Sequence, residues 1–252
     1  MQPKVLVGCP TSDYHEYCIE EFSKAAKSLT YQNCDILIVD NSKDLSFFNR
    51  LKGLRFNVIK DEFKEKARDR IVSSRNLLRE YAINNNYDYF FSLEQDIIPP
   101  TNVIEILLQS KKNIIAGVYF KPFNNQYIPI ASQAIDERTF EELKKSSDPE
   151  LKKRMEKNKI TTYKDAGRQL TPEEVEEPQI IEIHEAGLGC VLMSKSVIEK
   201  VSFRYEPDLD GFDDTWFYQD ARRVGFKAYL DTSIKCKHLI LNKPWKWADL
   251  ER

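Results

Sequence analysis

The sequence predicts a single α/β domain built on a mostly parallel central sheet and interrupted by a charged helical insertion. Three observations point there. Short, continuous apolar runs alternate with amphipathic segments through the first half of the chain, as in strand–helix–strand repeats. Several of those runs stop abruptly at acids, Asn or Pro, which places polar groups at the carboxyl edge of the sheet, where α/β folds hold ligands. Between 121 and 179 the alternation gives way to a charge-dense stretch. At 252 residues the chain is long enough for one substantial domain.

The elements follow in order. KVLVGCP, Lys4 to Pro10, is a buried first strand closed by proline. The loop Thr11-Ser12-Asp13 comes next, and Asp13 is placed to cap a helix from about His15 to Leu29. CDILIVDNSKD gives a strand through Val39, with Asp40 and Asn41 at its end. LRFNVIKD, 54–61, reads as a third strand, and 65–84 as an amphipathic helix laid on the sheet. The central strand is 87–93. Pro99 and Pro100 open a helix over 101–109, and NIIAGVYF, 113–120, is another buried strand. Right-handed crossovers between parallel strands are the natural connection for such a series.

KPFNNQYIPIASQ, 121–133, reads as an edge strand or a loop, and TFEELKKSSDPELKKRMEKNK, 139–159, as a flexible helical insertion packed on one side, with disorder as its alternative. The regular pattern then returns: a strand at 180–184, a glycine-containing loop at 186–189, a strand at 190–193 and a short helix from Ser194. A helix over 215–224 ends at Gly225, followed by strands at 226–230 and 234–238. The organisation expected is therefore 1–120 as a ligand-binding half, 121–179 as a variable insertion, 180–242 as the second half of the same domain, and 243–252 as a terminal strap. That strap sets Trp245 and Trp247 beside Lys243 and Lys246, a mixture suited to packing across the domain or meeting a membrane surface or glycan.

Composition removes several classes of function. The 38 basic and 40 acidic side chains nearly cancel, which gives no electrostatic case for a nucleic-acid-binding protein. Five scattered cysteines form no CxxC pair, which argues against structural zinc or a disulfide framework and for a reducing, cytoplasmic setting. Cys9, Cys190 and Cys236 sit in apolar company and read as small buried hydrophobes. MQPKVLVGC reads as a strand rather than a signal peptide, and no run of eighteen apolar residues occurs, so contact with a membrane would be peripheral, at its cytoplasmic surface.

The chemistry concentrates in DYFFSLEQDIIPP, 88–100. A buried strand delivers Glu94 and Asp96 to the sheet edge, and two prolines then stop it. Residues two apart share a face while strand geometry lasts, so the pair is suited to one cation and a diphosphate. The competing reading is an acidic loop without a ligand. His238 ends a strand that can return to the same edge, where an imidazole would join Asp96 as a metal ligand. Asp40 either makes a turn or hydrogen-bonds a base or sugar. Arg75 either lies on a solvated helix face or reaches a phosphate. Asp213 and Asp214 either cap the following helix or supply a general base. Gly187 and Gly189 allow close backbone approach or a left-handed turn, but GLG is not a dinucleotide fingerprint.

In that order, these motifs resemble the GT-A fold nucleotide-sugar glycosyltransferases, in particular the glycosyltransferase family 2-like group, over nearly the whole chain outside the insertion. The resemblance implies that VLVGCPTSD, with Pro10, Thr11 and Asp13, holds the nucleotide and that Asp40 contacts its base. Glu94-Gln95-Asp96 stands where the family has Asp-x-Asp, which implies Mn²⁺ or Mg²⁺ bound by Asp96, by His238 and, despite its longer side chain, by Glu94. AGLGCVLMS, with Gly187 and Gly189, would line the donor-sugar or acceptor site, and Asp214 rather than Asp213 would be the base. The implied partners are a UDP- or GDP-linked sugar and a hydroxyl acceptor such as a lipid- or protein-linked glycan, with inversion at the transferred carbon. Two rivals share the fold. A sugar-phosphate nucleotidyltransferase would carry a glycine-rich basic loop that VGCPTSD lacks, and a non-catalytic glycan- or nucleotide-binding protein would not need its acids to converge.

Overall fold

The computed structural model describes residues 2–124, 126–209 and 211–241. The expected strap at 243–252, with its tryptophans and lysines, lies outside the described residues. The order of elements is β1 (Val5–Thr11), a 3₁₀ turn (Asp13–Cys18), α1 (Ile19–Lys27), β2 (Cys34–Asp40), α2 (Ser46–Gly53), β3 (Asn57–Lys60) and α3 (Ala67–Asn84). Then come β4 (Tyr89–Leu93), β5 (Ile97–Ile98), α4 (Val103–Gln109), β6 (Ile114–Val118), β7 (Phe120–Phe123), β8 (Gln126–Pro129) and β9 (Ala131–Ala134). The chain continues through α5 (Glu137–Lys144), α6 (Pro149–Lys157), β10 (Gly167–Gln169), β11 (Ile180–Ile183), β12 (Glu185–Ala186) and β13 (Cys190–Ser194). It closes with α7 (Lys195–Lys200), α8 (Asp213–Arg223), β14 (Ala228–Lys235) and β15 (Lys237–His238).

The central sheet has eight strands in the order β11-β14-β6-β13-β4-β1-β2-β3. Its period-two alternation splits each strand between two cores. Leu6, Phe90, Val191 and Met193 face one layer with Leu78, Ala82 and Phe217. Val7, Phe91, Cys190 and Leu192 face the other with Phe22, Leu51 and Ile104. The sheet is thus sandwiched between α3, α7 and α8 on one side and α1, α2 and α4 on the other. Burying both faces is why β1, β4, β6 and β13 read as unbroken apolar runs. Cys9, Cys190 and Cys236 lie in the second core, fully buried, as expected of small hydrophobes.

Three expectations change. The sheet is mixed rather than mostly parallel: β1–β2, β1–β4, β2–β3 and β6–β14 are parallel, whereas β13 runs antiparallel between β4 and β6, and β11 antiparallel to β14. The strands expected at 226–230 and 234–238 are one longer strand, β14, followed by the two-residue β15. The segment 121–179 holds strands both where an edge strand or a loop is expected, at 121–133, and beyond it. It contributes β9 and β10 to a small sheet of order β10-β9-β12, and a third apolar cluster, around Ile135, Phe140 and Ala166, holds its helical part. No helix among the described residues is long and apolar enough to cross a membrane.

The site is positioned by where β1, β2 and β4 stop. Being parallel neighbours, they end on one edge of the sheet, at Thr11, Asp40 and Leu93. β15 pairs with β5 so that His238 stands opposite Ile97, and the Leu239 amide donates to the Asp96 carbonyl at 2.7 Å. The first turn of α8 closes the cavity over the same edge.

Candidate active site

These ends enclose a cavity of about 540 Å³. Of the residues singled out by sequence, Pro10, Thr11, Arg75, Glu94, Gln95, Asp96, Gly187, Asp213, Asp214 and His238 line it, whereas Asp13, Asp40 and Gly189 do not. Asp13 begins the 3₁₀ turn instead of capping a helix, and its amide donates to Ser42 Oγ at 2.8 Å. Asp40 is completely buried. Its Oδ1 accepts from the Ser42 amide at 3.0 Å and from Ser42 Oγ at 2.5 Å, and Lys60 Nζ lies 3.4 Å from Oδ2. Asn41, one residue on, is the group that reaches the cavity wall, with its amide nitrogen donating to Ser74 Oγ at 3.0 Å.

Glu94 and Asp96 do not act as a pair on one face, because β4 ends at Leu93 and a turn carries the next residues. Glu94 turns inward to the Arg75 guanidinium, which is 1% exposed, and Arg75 Nη1 also donates to Ser92 Oγ at 2.5 Å. On its other side Arg75 Nε lies 2.6 Å from Asp213 Oδ2. Its position rules out the solvated-face reading, and both neighbouring acids already occupy its charge. Burial works against that charge, but Asp213 and Glu94 outweigh it and hold the guanidinium above its ordinary pKa. Burial also raises the Glu94 carboxyl, with Arg75 opposing the rise.

Gln95 has a structural job. Thr11 Oγ1 donates to its side-chain oxygen, and its Nε2 donates to the His15 carbonyl at 2.8 Å, which ties the first loop to the acidic one. Gly187 and Gly189 both have negative φ, so close approach is what they provide. A Cβ at Gly189 would come within 2.7 Å of Ile97 Cγ1 and 2.9 Å of Glu94 Oε2. The bulky neighbour they admit is Tyr119, whose hydroxyl accepts from the Gly189 amide at 3.0 Å.

Asp96 meets two imidazoles instead of Arg75. His238 Nε2 lies 3.4 Å from its Oδ2, and His15 Nε2 lies 4.0 Å from the same oxygen. His238 Nδ1 is 2.7 Å from the Phe120 carbonyl, the second hydrogen bond that commonly orients a ligating imidazole. Burial opposes protonation of His238 but Asp96 prevails, so its pKa is raised; burial lowers that of His15. His15 escapes sequence reading because a lone histidine in a helix-like stretch carries no signal of its own. No group of three or more His, Cys, Asp or Glu side chains able to hold a metal ion occurs among the described residues. The Asp96 carboxylate is the kind of oxygen donor that Mn²⁺ and Mg²⁺ take, whereas the imidazole beside it is a nitrogen donor foreign to the all-oxygen shell of Mg²⁺.

Asp213 and Asp214 open α8. The residue in the capping position is Phe212, and neither acid takes that place. Asp214 Oδ1 accepts from the Thr215 amide at 2.8 Å. Burial, Asp213 and Glu185 push its carboxyl up to about 7, the range in which a carboxylate serves as a base near neutral pH. Arg70 is a cation on the cavity wall that sequence reading passed over. Its Nη1 donates to the carbonyls of Lys64 at 2.6 Å and Glu65 at 2.9 Å, and no ion pair to it occurs among the described residues.

Over most of its length the chain is structurally similar, at low identity, to GT-A fold glycosyltransferases, which makes its mixed α/β domain GT-A-like in fold. The structure of GalNAc-T7 with UDP, GalNAc and Mn²⁺ matches with a TM-score of 0.58 at 10% identity, over 94% of this chain and 44% of that one. The structure of S. aureus TarS matches with a TM-score of 0.51 at 11% identity, over 96% of this chain and 36% of that one. The chain therefore spans less than half the length of either. No family model matches the sequence, and no curated protein matches it.

Proposed function

We propose that this chain is a metal-dependent glycosyltransferase that moves a sugar from a nucleoside diphosphate to a hydroxyl acceptor with inversion. The observation that carries the reading is Asp214. Its carboxyl is pushed up to about 7, and it lines the same cavity as Asp96 and His238. The acid-base group and the cation-binding pair then serve one reaction, which a scattered arrangement would not allow.

The loop after β1 and Asn41 would hold the nucleotide, and Asp96 with His238 would hold Mn²⁺. When bound, the ion offsets the negative charge of the diphosphate. Arg70 adds positive charge to the same wall. Arg75 keeps Glu94 and Asp213 in place and leaves Asp214 as the free carboxylate. Asp214 takes the proton of the acceptor hydroxyl as that oxygen bonds to the anomeric carbon. The bond from this carbon to the diphosphate oxygen breaks, and its electron pair leaves with the diphosphate.

Release of nucleoside diphosphate from UDP- and GDP-sugars, with Mn²⁺ and mixed hydroxyl acceptors, tests the reading. Turnover of one donor should fall by about 10²-fold or more in Asp214→Asn. An unchanged rate in that variant would remove Asp214 from the mechanism.

A further inference from the structure

A second hollow, of about 230 Å³, adjoins the cavity, and Ile130, Gly187, Phe212 and Asp214 belong to the walls of both. Asp214 therefore stands at the boundary between the donor space and a space no part of the mechanism has used. One side of this hollow comes from the small sheet β10-β9-β12. Ser132 on β9 is registered directly opposite Gln169 on β10 and Glu185 on β12. Directly opposed residues of antiparallel strands share a face, so an amide, a hydroxyl and a carboxyl form one polar row along the hollow.

The row has unused hydrogen-bonding capacity. Ser132 is 8% exposed, and its buried Oγ has no hydrogen-bond partner. A buried hydroxyl left in that state costs stability, which a ligand hydroxyl would recover. Gln169 spends its Nε2 on the Ala131 carbonyl at 2.8 Å and on the Pro129 carbonyl, so its side-chain oxygen is the atom left to accept. Burial raises the Glu185 carboxyl from its ordinary value, against the pull of Arg222 and a hydrogen bond with Thr215. Phe212 is 49% exposed although the Arg68 guanidinium lies 5.3 Å from its ring centroid, and it follows Gly211, whose φ of 99° is left-handed.

We propose that Gln169, Ser132, Glu185 and Phe212 form an acceptor subsite for a saccharide ring, one of whose hydroxyls is delivered to Asp214. This rests on the transferase reading above. A sugar ring presents several hydroxyls along its edge, which match the polar row, and an apolar C–H face, which matches an aromatic side chain. A lipid chain would leave the row unpaired. A peptide serine or threonine would bring one hydroxyl to three polar groups. The hollow is smaller than the roughly 300 Å³ at which drug-sized pockets begin, so it takes one ring of a larger acceptor.

The test is saturation-transfer NMR on the full chain with methyl glycosides of glucose, galactose and N-acetylglucosamine, beside calorimetry with UDP and GDP in Mn²⁺. At least one glycoside should bind the native chain. Ser132→Ala and Glu185→Ala should each weaken it roughly tenfold, and Ser132→Ala should leave nucleotide binding unchanged. Nucleotide binding also reports that each variant is folded. If UDP or GDP binds but no glycoside does, or if the glycoside binds both variants as it binds the native chain, the subsite is wrong and the donor reading stands. Selective binding of a serine- or threonine-containing peptide would likewise overturn it. Variant-sensitive glycoside binding without nucleotide binding would support the subsite and remove the transferase reading.

Discussion

Arg75 Nε lies 2.6 Å from Asp213 Oδ2, a contact of charges without the alignment of a hydrogen bond, in the first turn of the helix that carries Asp214. Because Glu94 meets the other end of the same guanidinium, one buried cation ties α3 to the end of β4 and the start of α8. Of the four acids that line the cavity, Glu94 and Asp213 are thus paired with Arg75, and Asp96 and Asp214 are not. Arg75→Met leaves two carboxylates without their cation. A loss of about 3–5 kcal/mol is expected in urea unfolding, since removing one partner strands the other charges.

Activity should depend on pH through Asp214. The base works deprotonated, so kcat/KM is expected to rise with pH through about 7 and then level off. Glu185 is among the groups that raise this carboxyl, so Glu185→Gln should move the rise to lower pH. The check is a pH–rate profile of both proteins.

The same shift has a stability cost with a defined sign. The folded carboxyl has a higher pKa than the unfolded one, so its favourable contribution is complete below about 4, the unfolded value, and is lost as pH rises to about 7. Asp214→Asn removes that ionisation. Its melting temperature should exceed that of the native chain at pH 8, with the difference closing as the pH is lowered toward 4, while turnover is lost.

Asp96→Ala and His238→Ala should each weaken Mn²⁺ binding in the presence of UDP or GDP by at least about tenfold, read by electron paramagnetic resonance. His238 has a raised pKa, and a ligating imidazole must be unprotonated. Mn²⁺ affinity should therefore fall as pH drops through that raised value.

Gly189→Ala places a methyl group 2.7 Å from Ile97 Cγ1 and 2.9 Å from Glu94 Oε2. Overpacking of this kind costs about 1–3 kcal/mol. Because the strain falls on Glu94, denaturant unfolding should show the loss together with a weaker coupling between Glu94 and Arg75 in a double-mutant cycle.

How far the sequence carries depends on the range of the interaction involved. The placement of Asp96 at the sheet edge is legible because an apolar run stops at acids and two prolines, whereas IKCK before His238 is half lysine, and the return of His238 to that edge depends on β15 pairing with β5. The antiparallel direction of β13 is not legible, since an apolar strand buried on both faces reads alike in either direction. The occupation of Arg75 by Glu94 and Asp213 was out of reach for another reason: its partners are 19 residues away on one side and far along the chain on the other. The stretch 121–133 reads as an edge strand or a loop and spans β8 and most of β7 and β9, whereas β10 is three exposed residues with no apolar pattern to mark it. Asp40 shows the opposite case, where the plain turn reading of Asp-Asn-Ser matches hydrogen bonds made two residues apart.

The proposed transferase needs the edge formed by Thr11, Asn41, Asp96 and His238 to bind a nucleoside diphosphate with a divalent ion. The most direct measurement is calorimetric titration of the native chain and Asp96→Ala with nucleoside diphosphates, with and without Mn²⁺. One diphosphate should bind the native chain, binding should require Mn²⁺, and it should collapse in the variant. Absence of binding by any diphosphate under either condition, or metal-independent binding that survives in Asp96→Ala, would contradict the transferase reading.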